Sequence, residues 1–306
     1  MFKHSFKYYK SKNPPPNFEE VLDFQKPEFE LNGIVIYKDL ALKSSLCNYG
    51  LKNLKDWRVY QIPSKNGFIF IRNPFTHAGQ RYWIKKCLKD YSRKPNKLNI
   101  DNFNVIPSDK NWWDTAQSDK TLLQSLRWAT LGYHHNWDTK IYSEDNRSDF
   151  PSDLKDMTEY IARKLGFMDF IAEAAIVNYY QLNSTLSGHT DHSEQNLEAP
   201  LFSFSFGQTA VFLLGGKTID EKPVAMFLRS GDILIMSKQS RLCYHGVPRV
   251  IKIDHDIWND EDEFNSNNYY EANDALWTPF NNYLSHSRIN MNVRQVLHTG
   301  QLKLCH

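Results

Sequence analysis

The pattern of hydrophobic and polar positions changes near Gly166 from a helical period to strict alternation. Before this glycine, apolar residues recur every three or four positions, which predicts a helix with Ser152 as its N-cap. The predicted buried face of this helix consists of Leu154, Met157, Ile161 and Leu165. After it, Phe and Ser alternate in LFSFSF at residues 201–206, which is typical of a strand.

Seven segments after Gly166 are rich in β-branched and aromatic residues and are predicted to be strands. They are residues 174–182, 200–206, 209–214, 224–228, 233–237, 246–251 and 289–297. Glycine-containing turns separate many of them. Short strands with such turns indicate an antiparallel sandwich or barrel.

The first half of the chain shows helical patterns instead. Asn17 followed by Glu20 is a capping-box signature and predicts a helix there, and a second helix is predicted between Gly79 and Pro95. The chain is therefore divided into three parts: a basic helical N-terminal extension (1–110), an aromatic, loop-rich region with its supporting helix (111–170), and a β-rich core (171–306).

Charge is distributed unevenly along the 306 residues. The net charge is +2, but the first 100 residues hold 19 basic and 8 acidic residues, a net of +11, and the rest hold 18 and 27, a net of −9. A polarised chain suggests that one part faces an anion such as nucleic acid. The cations predicted to contact phosphates are Arg81, Lys85, Lys86 and Lys89, although a solvated helix face explains them as well. Residues 254–274 read as a flexible acidic loop.

The cysteines and the apolar segments of the sequence indicate the cellular compartment in which the protein is expected. The four cysteines, which form no C-x-x-C pair, are Cys47, Cys87, Cys243 and Cys305. We therefore expect neither disulfides nor a structural zinc site, and a reducing environment. No apolar run approaches the roughly 18 residues of a membrane span, and no apolar secretory segment is present. These features predict a soluble, intracellular protein, nuclear or cytoplasmic, and the lysine-rich start leaves mitochondrial import open.

A histidine–aspartate pair and a later histidine form a candidate metal centre. His189 and Asp191 are two positions apart in GHTDHSE, so their side chains lie on one side of an extended chain, and His245 follows in CYHGVPR. Two imidazoles and one carboxylate hold non-haem Fe(II) and leave coordination positions open. A buried structural role is the ordinary alternative for each histidine taken alone. For all three residues to bind one ion, the strand that carries His245 must fold back beside the one that carries His189.

The segment RINMNVRQV adds a polar face. Arg288, Asn290 and Arg294 all have even numbers, so they are predicted to lie on one face of a strand. Three polar groups on an otherwise apolar strand are costly to bury without an anionic ligand. Because arginine binds carboxylates through paired charge-assisted hydrogen bonds, this face is suited to a dicarboxylate.

These motifs resemble those of the AlkB-like Fe(II)/2-oxoglutarate-dependent dioxygenases, and are most similar to the eukaryotic AlkB homologue 1 branch. The shared motifs, in the family's order, are N-Y-Y, H-T-D-H-S-E, S-F-S-F-G-Q, S-G-D, H-G-V-P-R and R-I-N-M-N-V-R. The resemblance is strong over roughly residues 120–300 and looser over the first 110. It implies an α+β fold with a double-stranded β-helix (jelly-roll) core, a helical basic extension and a substrate-recognition lid.

The resemblance also implies roles for single residues. It assigns His189, Asp191 and His245 as the catalytic Fe(II) ligands. The residues implied to hold the co-substrate 2-oxoglutarate are Asn178, Tyr180, Arg288, Asn290 and Arg294, with Arg288 on the distal carboxylate and Arg294 near the keto-acid end. Tyr179 is expected to point away into packing, and His192 and Glu194 to surround the ligands.

The implied reaction uses O₂ to decarboxylate 2-oxoglutarate to succinate and to hydroxylate a methyl group that leaves as formaldehyde. The residues implied to lie near the substrate are Trp113, Tyr133, His134, His135 and Asn136, although interdomain packing is an alternative for them. Ser193 stands where several base-repairing relatives have Asp, so their substrate preference does not transfer directly.

We therefore predict a demethylase of N-methylated adenine in tRNA or DNA, acting on an unpaired or flipped base. The alternatives are oxidation of modified cytidine in tRNA, an abasic-site lyase activity, demethylation of a histone-like protein by the same iron centre, and a catalytically silent jelly-roll binding module. An intact ligand set argues against the silent module, and a basic N-terminal half argues against a basic protein substrate. Oligomeric state is not indicated.

Overall fold

The alternating segments form two antiparallel sheets in the computed structural model, which describes residues 1–27, 33–37, 40, 49–107, 109–260 and 274–304. The described strands are β1 (Val35–Ile36), β2 (Arg58–Gln61), β3 (Phe68–Arg72), β4 (Lys97–Leu98), β5 (Trp128–Gly132), β6 (Ala174–Gln181), β7 (Leu186–His189), β8 (Leu201–Gly207), β9 (Thr209–Leu214), β10 (Val224–Leu228), β11 (Ile233–Met236), β12 (His245–Ile251) and β13 (Ser287–Arg294). The larger sheet has the order β1-β2-β3-β11-β8-β13-β6-β5-β4, and the smaller has the order β10-β9-β12-β7. All seven predicted strands are confirmed.

The described helices are α1 (Phe2–Lys10), α2 (His77–Lys85), α3 (Trp112–Ala116), α4 (Lys120–Ser125), α5 (Ser152–Lys164) and α6 (Asp274–Leu284). Trp83 of α2, Trp112 of α3 and Ile161 of α5 join one buried cluster with the outer face of the larger sheet. Helix α1 packs through Phe2 and Tyr9 on the outer face of the smaller sheet. The two sheets face each other across a second apolar cluster, and this arrangement is the jelly-roll core.

The alternation in the sequence sorts side chains between the two faces of the larger sheet. Phe202, Phe204 and Phe206 of β8 pack against the helices, whereas Ser203 and Ser205 bond to polar residues of β13 on the inner face. Odd-numbered residues of β13 are likewise in the helix-facing cluster. The polar even-numbered residues of β13 are therefore left for the space between the sheets, as predicted.

The helix predictions have mixed outcomes. Helix α5 is confirmed with its buried face, although Ser152 is its first residue and Pro151 its N-cap. The helix between Gly79 and Pro95 is confirmed by α2 and a π-helical turn, Lys86–Asp90, that continues it. The helix predicted at Asn17 is wrong. There the Asn17 side chain accepts a hydrogen bond from the Glu19 amide, which makes a local turn, and Leu22 pairs with Met226 of β10 as an extended bridge.

Several elements of the N-terminal half were not predicted, among them helix α1 and strands β2 and β3. The run Phe68–Ile71 is buried on both faces, so it lacks the alternation that marks a half-buried strand. Strands β1 to β5 extend the larger sheet on both sides of the core strands. The sheet therefore takes strands from all three parts into which the sequence was divided.

Cys87 and Cys243 are buried free thiols, and Cys47 and Cys305 lie outside the described residues. Among the helices that the structure describes, none combines the length and apolarity of a membrane span. Of the predicted acidic loop, residues 261–273 lie outside the described residues. Its first part contains a 3-10 turn, Ile257–Asn259, in which Trp258 is completely buried.

Candidate active site

Strand pairing brings the predicted metal ligands together. His245 at the start of β12 lies directly opposite His189 at the end of β7, and Asp191 follows two residues later. One ligand atom from each of the three residues lies within 4.8 Å of the others. The Asp191 carboxylate is 3.8 Å from His189 Nε2 and 3.6 Å from His245 Nε2. Two imidazoles and a carboxylate therefore converge as the facial set requires.

The imidazole rings are oriented by backbone carbonyls. His189 Nδ1 is 2.9 Å from the carbonyl oxygen of Ser187, and His245 Nδ1 is 3.1 Å from that of Cys243. Because a carbonyl only accepts hydrogen bonds, each Nδ1 carries the proton and each Nε2 keeps its lone pair for a metal. Burial and the neighbouring His189 lower the pKa of His245 to about 4, so His245 is neutral at pH 7.

Asp191 is held as a carboxylate. Burial alone would raise its pKa, but Arg294, whose Nη2 is 3.0 Å from Asp191 Oδ1, and the two imidazoles hold the pKa well below its usual range. An ionised carboxylate at neutral pH is the form that binds a metal cation.

The polar residues of β13 form a second part of the site, next to the three candidate metal ligands. In the register of β13 with β6, Arg288 lies opposite Tyr180 and Asn290 lies opposite Asn178. The Arg288 side chain is buried, donates from Nη2 to Ser205 Oγ at 3.0 Å, and lies 5.1 Å from the centre of the Tyr180 ring. Within the described ranges, its Nε and Nη1 have no hydrogen-bond partner.

A cavity of about 500 Å³ joins these groups. The predicted metal and co-substrate residues that line it are Asn178, Tyr180, His189, Asp191, His245, Arg288, Asn290 and Arg294. The residues fit Fe(II) and 2-oxoglutarate, because the donor set suits Fe(II) and a buried arginine with two unused donors suits a dicarboxylate. Tyr179 points to the other side of the sheet, as predicted, and donates to the carbonyl of Cys87 at 2.6 Å.

The residues expected near the substrate do not all reach the cavity. His135 lines it, between Tyr142 and Trp137. His134 is instead buried with its Nδ1 2.9 Å from Thr130 Oγ1. Tyr133 is also buried, and its hydroxyl bonds to Glu144 and Arg147, while Asn136 is exposed and closes a turn through Asp138 and Thr139. The motif therefore contributes one residue to the cavity.

Trp113 is a packing residue. Its side chain is 4% exposed and stacks on Phe280 with 4.7 Å between ring centres. It is not among the residues that line the cavity. These contacts agree with the packing alternative for Trp113, because α3 turns the ring towards α6.

The basic helix is less available to phosphate than its composition suggested. Lys86 forms ion pairs with Asp90 at 2.7 Å and with Asp153 at 2.9 Å. Arg81 donates to the carbonyl of Trp258, and Lys85 is partly covered by aromatic rings of α6. Of the four cations, Lys89 is the exposed one. Carboxylates therefore neutralise Lys86, whereas Arg81 and Lys85 keep their charge but are engaged by a carbonyl and by aromatic rings.

Four residues of the site were missed as site residues. Trp137 and Lys140 line the mouth of the cavity, and Tyr142 and Arg241 bond to the residues around Asp191. Trp137 was visible in the sequence as part of an aromatic stretch. Arg241 had no signal, because its contacts exist only once the segment after β7 folds back on the turn before β12.

Comparison with known proteins agrees with this geometry. The 2OG-Fe(II) oxygenase superfamily matches residues 67–294. The chain is 45% identical to the mouse protein named "Nucleic acid dioxygenase ALKBH1", over 82% of this chain and 70% of that protein. It is 32% identical to the fission yeast "tRNA demethylase abh1", over 78% of this chain and 82% of that protein. The solved structure of OsALKBH1 has the same fold, with a TM-score of 0.51 at 20% identity, over 75% of this chain and 96% of that one.

The family is therefore established together with its cofactors. A matched domain that includes every predicted metal and co-substrate residue, and a mouse relative at 45% identity, leave one assignment. The chain belongs to the 2OG-Fe(II) oxygenase superfamily, in its AlkB homologue 1 branch, and is a dioxygenase that uses Fe(II), 2-oxoglutarate and O₂.

Proposed function

We propose that this enzyme oxidatively removes N-methyl groups from adenine in nucleic acid, as N1-methyladenosine in tRNA or N6-methyladenine in DNA. The names of the mouse and fission yeast relatives support nucleic acid as the substrate class. The observation that carries the proposal is that an exposed aromatic ring, Trp137, and a cation, Lys140, line the same cavity as the metal ligands. A nucleic-acid substrate is consistent with an enzyme of the nucleus, cytoplasm or mitochondrion.

The cavity mouth offers a base and its phosphate what each requires. Trp137 is 38% exposed, and the Nζ of Lys140 lies 5.6 Å from the centre of its ring. His135 packs edge-on against Trp137, with 4.8 Å between ring centres. An unstacked base can stack on the indole, while the Lys140 ammonium pairs with a phosphate outside the cavity.

The residues inside the cavity hold the cofactors and keep the site ordered. His189, Asp191 and His245 would hold Fe(II), and Arg288 would bind one carboxylate of 2-oxoglutarate, with Asn178, Tyr180, Asn290 and Arg294 around it. When bound, Fe(II) and 2-oxoglutarate would, with O₂, supply an oxidation that yields succinate, CO₂ and a hydroxymethylated base. The hydroxymethyl group is then released as formaldehyde. Burial and Arg294 lower the pKa of His135 to about 4, so a neutral imidazole faces the substrate at pH 7.

The test compares three proteins on methylated tRNA and DNA: wild type, His189→Ala, and the matched control His298→Ala, whose histidine is exposed and outside the cavity. Succinate is measured, and modified nucleosides are quantified by mass spectrometry. We expect wild type and control to form succinate and to lose N-methyladenine, and His189→Ala to do neither.

Turnover of 2-oxoglutarate without loss of methyladenine from either nucleic acid would refute the proposed substrate. Loss of a cytidine modification, or demethylation of a histone peptide, would then identify one of the alternative substrates. Absence of succinate in the wild type would contradict the catalytic assignment itself.

A further inference from the structure

Asp191 is held at its backbone as well as at its carboxylate. The guanidinium of Arg241, whose side chain is 2% exposed, donates to three acceptors in the segment after β7. Its Nη1 bonds to the carbonyl oxygen of Asp191 at 2.6 Å, its Nε to that of Ala199 at 3.1 Å, and its Nη2 to Glu194 Oε2 at 2.8 Å. One side chain therefore fixes both ends of this segment.

Glu194 connects Arg241 to the other arginine of the site. Its second oxygen, Oε1, lies 3.4 Å from Arg294 Nη1 and accepts a hydrogen bond from the Tyr142 hydroxyl at 3.2 Å. Arg294 in turn pairs with the Asp191 carboxylate. The contacts run from the Asp191 carbonyl through Arg241, Glu194 and Arg294 to the Asp191 carboxylate, and they balance two cations with two anions.

The segment needs such a support because regular secondary structure does not supply it. Strand β7 ends at His189, and β8 begins at Leu201, so Asp191 lies in irregular chain between them. His189 and His245, by contrast, are fixed by the pairing of β7 with β12. Without Arg241 and Glu194, the position of Asp191 would depend on a loop of irregular backbone.

We propose that Arg241 and Glu194 are positioning residues that hold Asp191 in the geometry of a metal ligand, the first through its peptide group and the second through Arg294. The inference rests on the proposed Fe(II) site. Neither residue is among those that line the cavity. Partners of this kind set how well a ligand is oriented, and their loss typically weakens metal binding about 10- to 100-fold.

The test measures the affinity of the metal-free protein for Co(II), by titration calorimetry in the absence of 2-oxoglutarate and nucleic acid. The variants are Arg241→Lys, which keeps the charge but cannot reach three acceptors, and Glu194→Gln, which keeps the shape but not the charge. The matched control is Arg229→Lys, because Arg229 pairs with Asp23 through two bonds of 2.7 and 2.8 Å outside the cavity.

We expect Co(II) affinity to fall about 10- to 100-fold in Arg241→Lys and in Glu194→Gln, and to stay at the wild-type value in Arg229→Lys. Wild-type Co(II) affinity in Glu194→Gln and in Arg241→Lys, with lowered resistance to urea, would show a purely structural role and overturn the inference. If Arg241→Lys does not fold, Glu194→Gln alone decides. Because no substrate is present, failure of the demethylation assay leaves this result interpretable, whereas a wild type that binds no Co(II) would refute the metal site and the inference together.

Discussion

Replacing Arg288 by Met separates what this arginine does for the co-substrate from what it does to the fold. Arg288 is 1% exposed, burial lowers its pKa, and among the described residues no carboxylate lies within ion-pair distance. A buried cation without an ion-pair partner destabilises the folded state, and even the replacement of a complete buried ion pair by apolar side chains of similar volume is often stabilising by about 1–4 kcal/mol. We therefore expect Arg288→Met to be more stable than the wild type when 2-oxoglutarate is absent.

The magnitude follows from the contacts that Arg288 makes. Its replacement leaves the Ser205 hydroxyl without its donor, at a cost of about 1 kcal/mol, so the net gain should be about 0–3 kcal/mol. The variant should lose the stabilisation by ligand, which for the wild type is about 4.1 kcal/mol at a 2-oxoglutarate concentration about 1,000 times its Kd. Addition of 2-oxoglutarate thus reverses the order of stability of the two proteins.

The assay is urea unfolding under an oxygen-free atmosphere, with and without 2-oxoglutarate. Arg241→Met is the matched control, because Arg241 is equally buried but paired with Glu194. It should lose about 3–5 kcal/mol, since it removes one cation from a buried set of two cations and two anions and leaves one negative charge unbalanced. If Arg288→Met were as destabilised as this control without ligand, Arg288 would have a partner in the fold and the reasoning would be wrong.

Three further changes have expected outcomes. Burial lowers the pKa of His134 to about 4, below the value of about 6.5 in an unfolded chain, so its contribution to stability is present above pH 6.5 and is lost as the pH falls towards 4. Between pH 7.5 and 5.5, the free energy of unfolding in urea should therefore fall by about 1.3 kcal/mol more in the wild type than in His134→Gln. Phe2→Ala should cost about 3–5 kcal/mol, and Gly188→Ala about 1–3 because the new methyl group meets the Phe2 ring, yet the double variant should cost less than the sum; additive costs would contradict this contact. Trp137→Ala should weaken binding of a single-stranded oligonucleotide, measured by fluorescence anisotropy, by about 1–3 kcal/mol, and unchanged binding would refute the stacking role.

The parts of the site that lie on regular strands were predictable from sequence. The even spacing of Arg288, Asn290 and Arg294 fixes their common face, because a strand has a side-chain period of two. The same rule separates Tyr179 from its neighbours. The two-residue spacing of His189 and Asp191 likewise indicates a shared side, and the motif resemblance supplies the partner strand that brings His245 opposite His189.

The parts that depend on loops and on long-range pairing were not predictable. His134 and His135 are adjacent and chemically identical, yet one is buried against Thr130 and the other lines the cavity. Lys86 looked available to phosphate because nothing in the sequence shows that Asp153, 67 positions later, pairs with it. The arithmetic of charge along the chain therefore overstates the basic surface of the first 100 residues, since pairs across the fold neutralise part of it.

The two arginines of β13 show how the halves of the site differ. Arg294 bonds to Asp191, Glu194 and Tyr142, so its charge is compensated whether or not a ligand is bound. Arg288 interacts with the neutral hydroxyl groups of Ser205 and Tyr180, and its Nε and Nη1 have no hydrogen-bond partner among the described residues, so a carboxylate of the co-substrate would supply the missing anion. Relief of that buried charge favours a co-substrate with a carboxylate at the Arg288 end over an analogue of the same length that lacks this carboxylate, because the analogue leaves Arg288 without an anion. The charges around the metal ligands are thus compensated by residues of the chain, whereas the charge of Arg288 is compensated only when the co-substrate is bound.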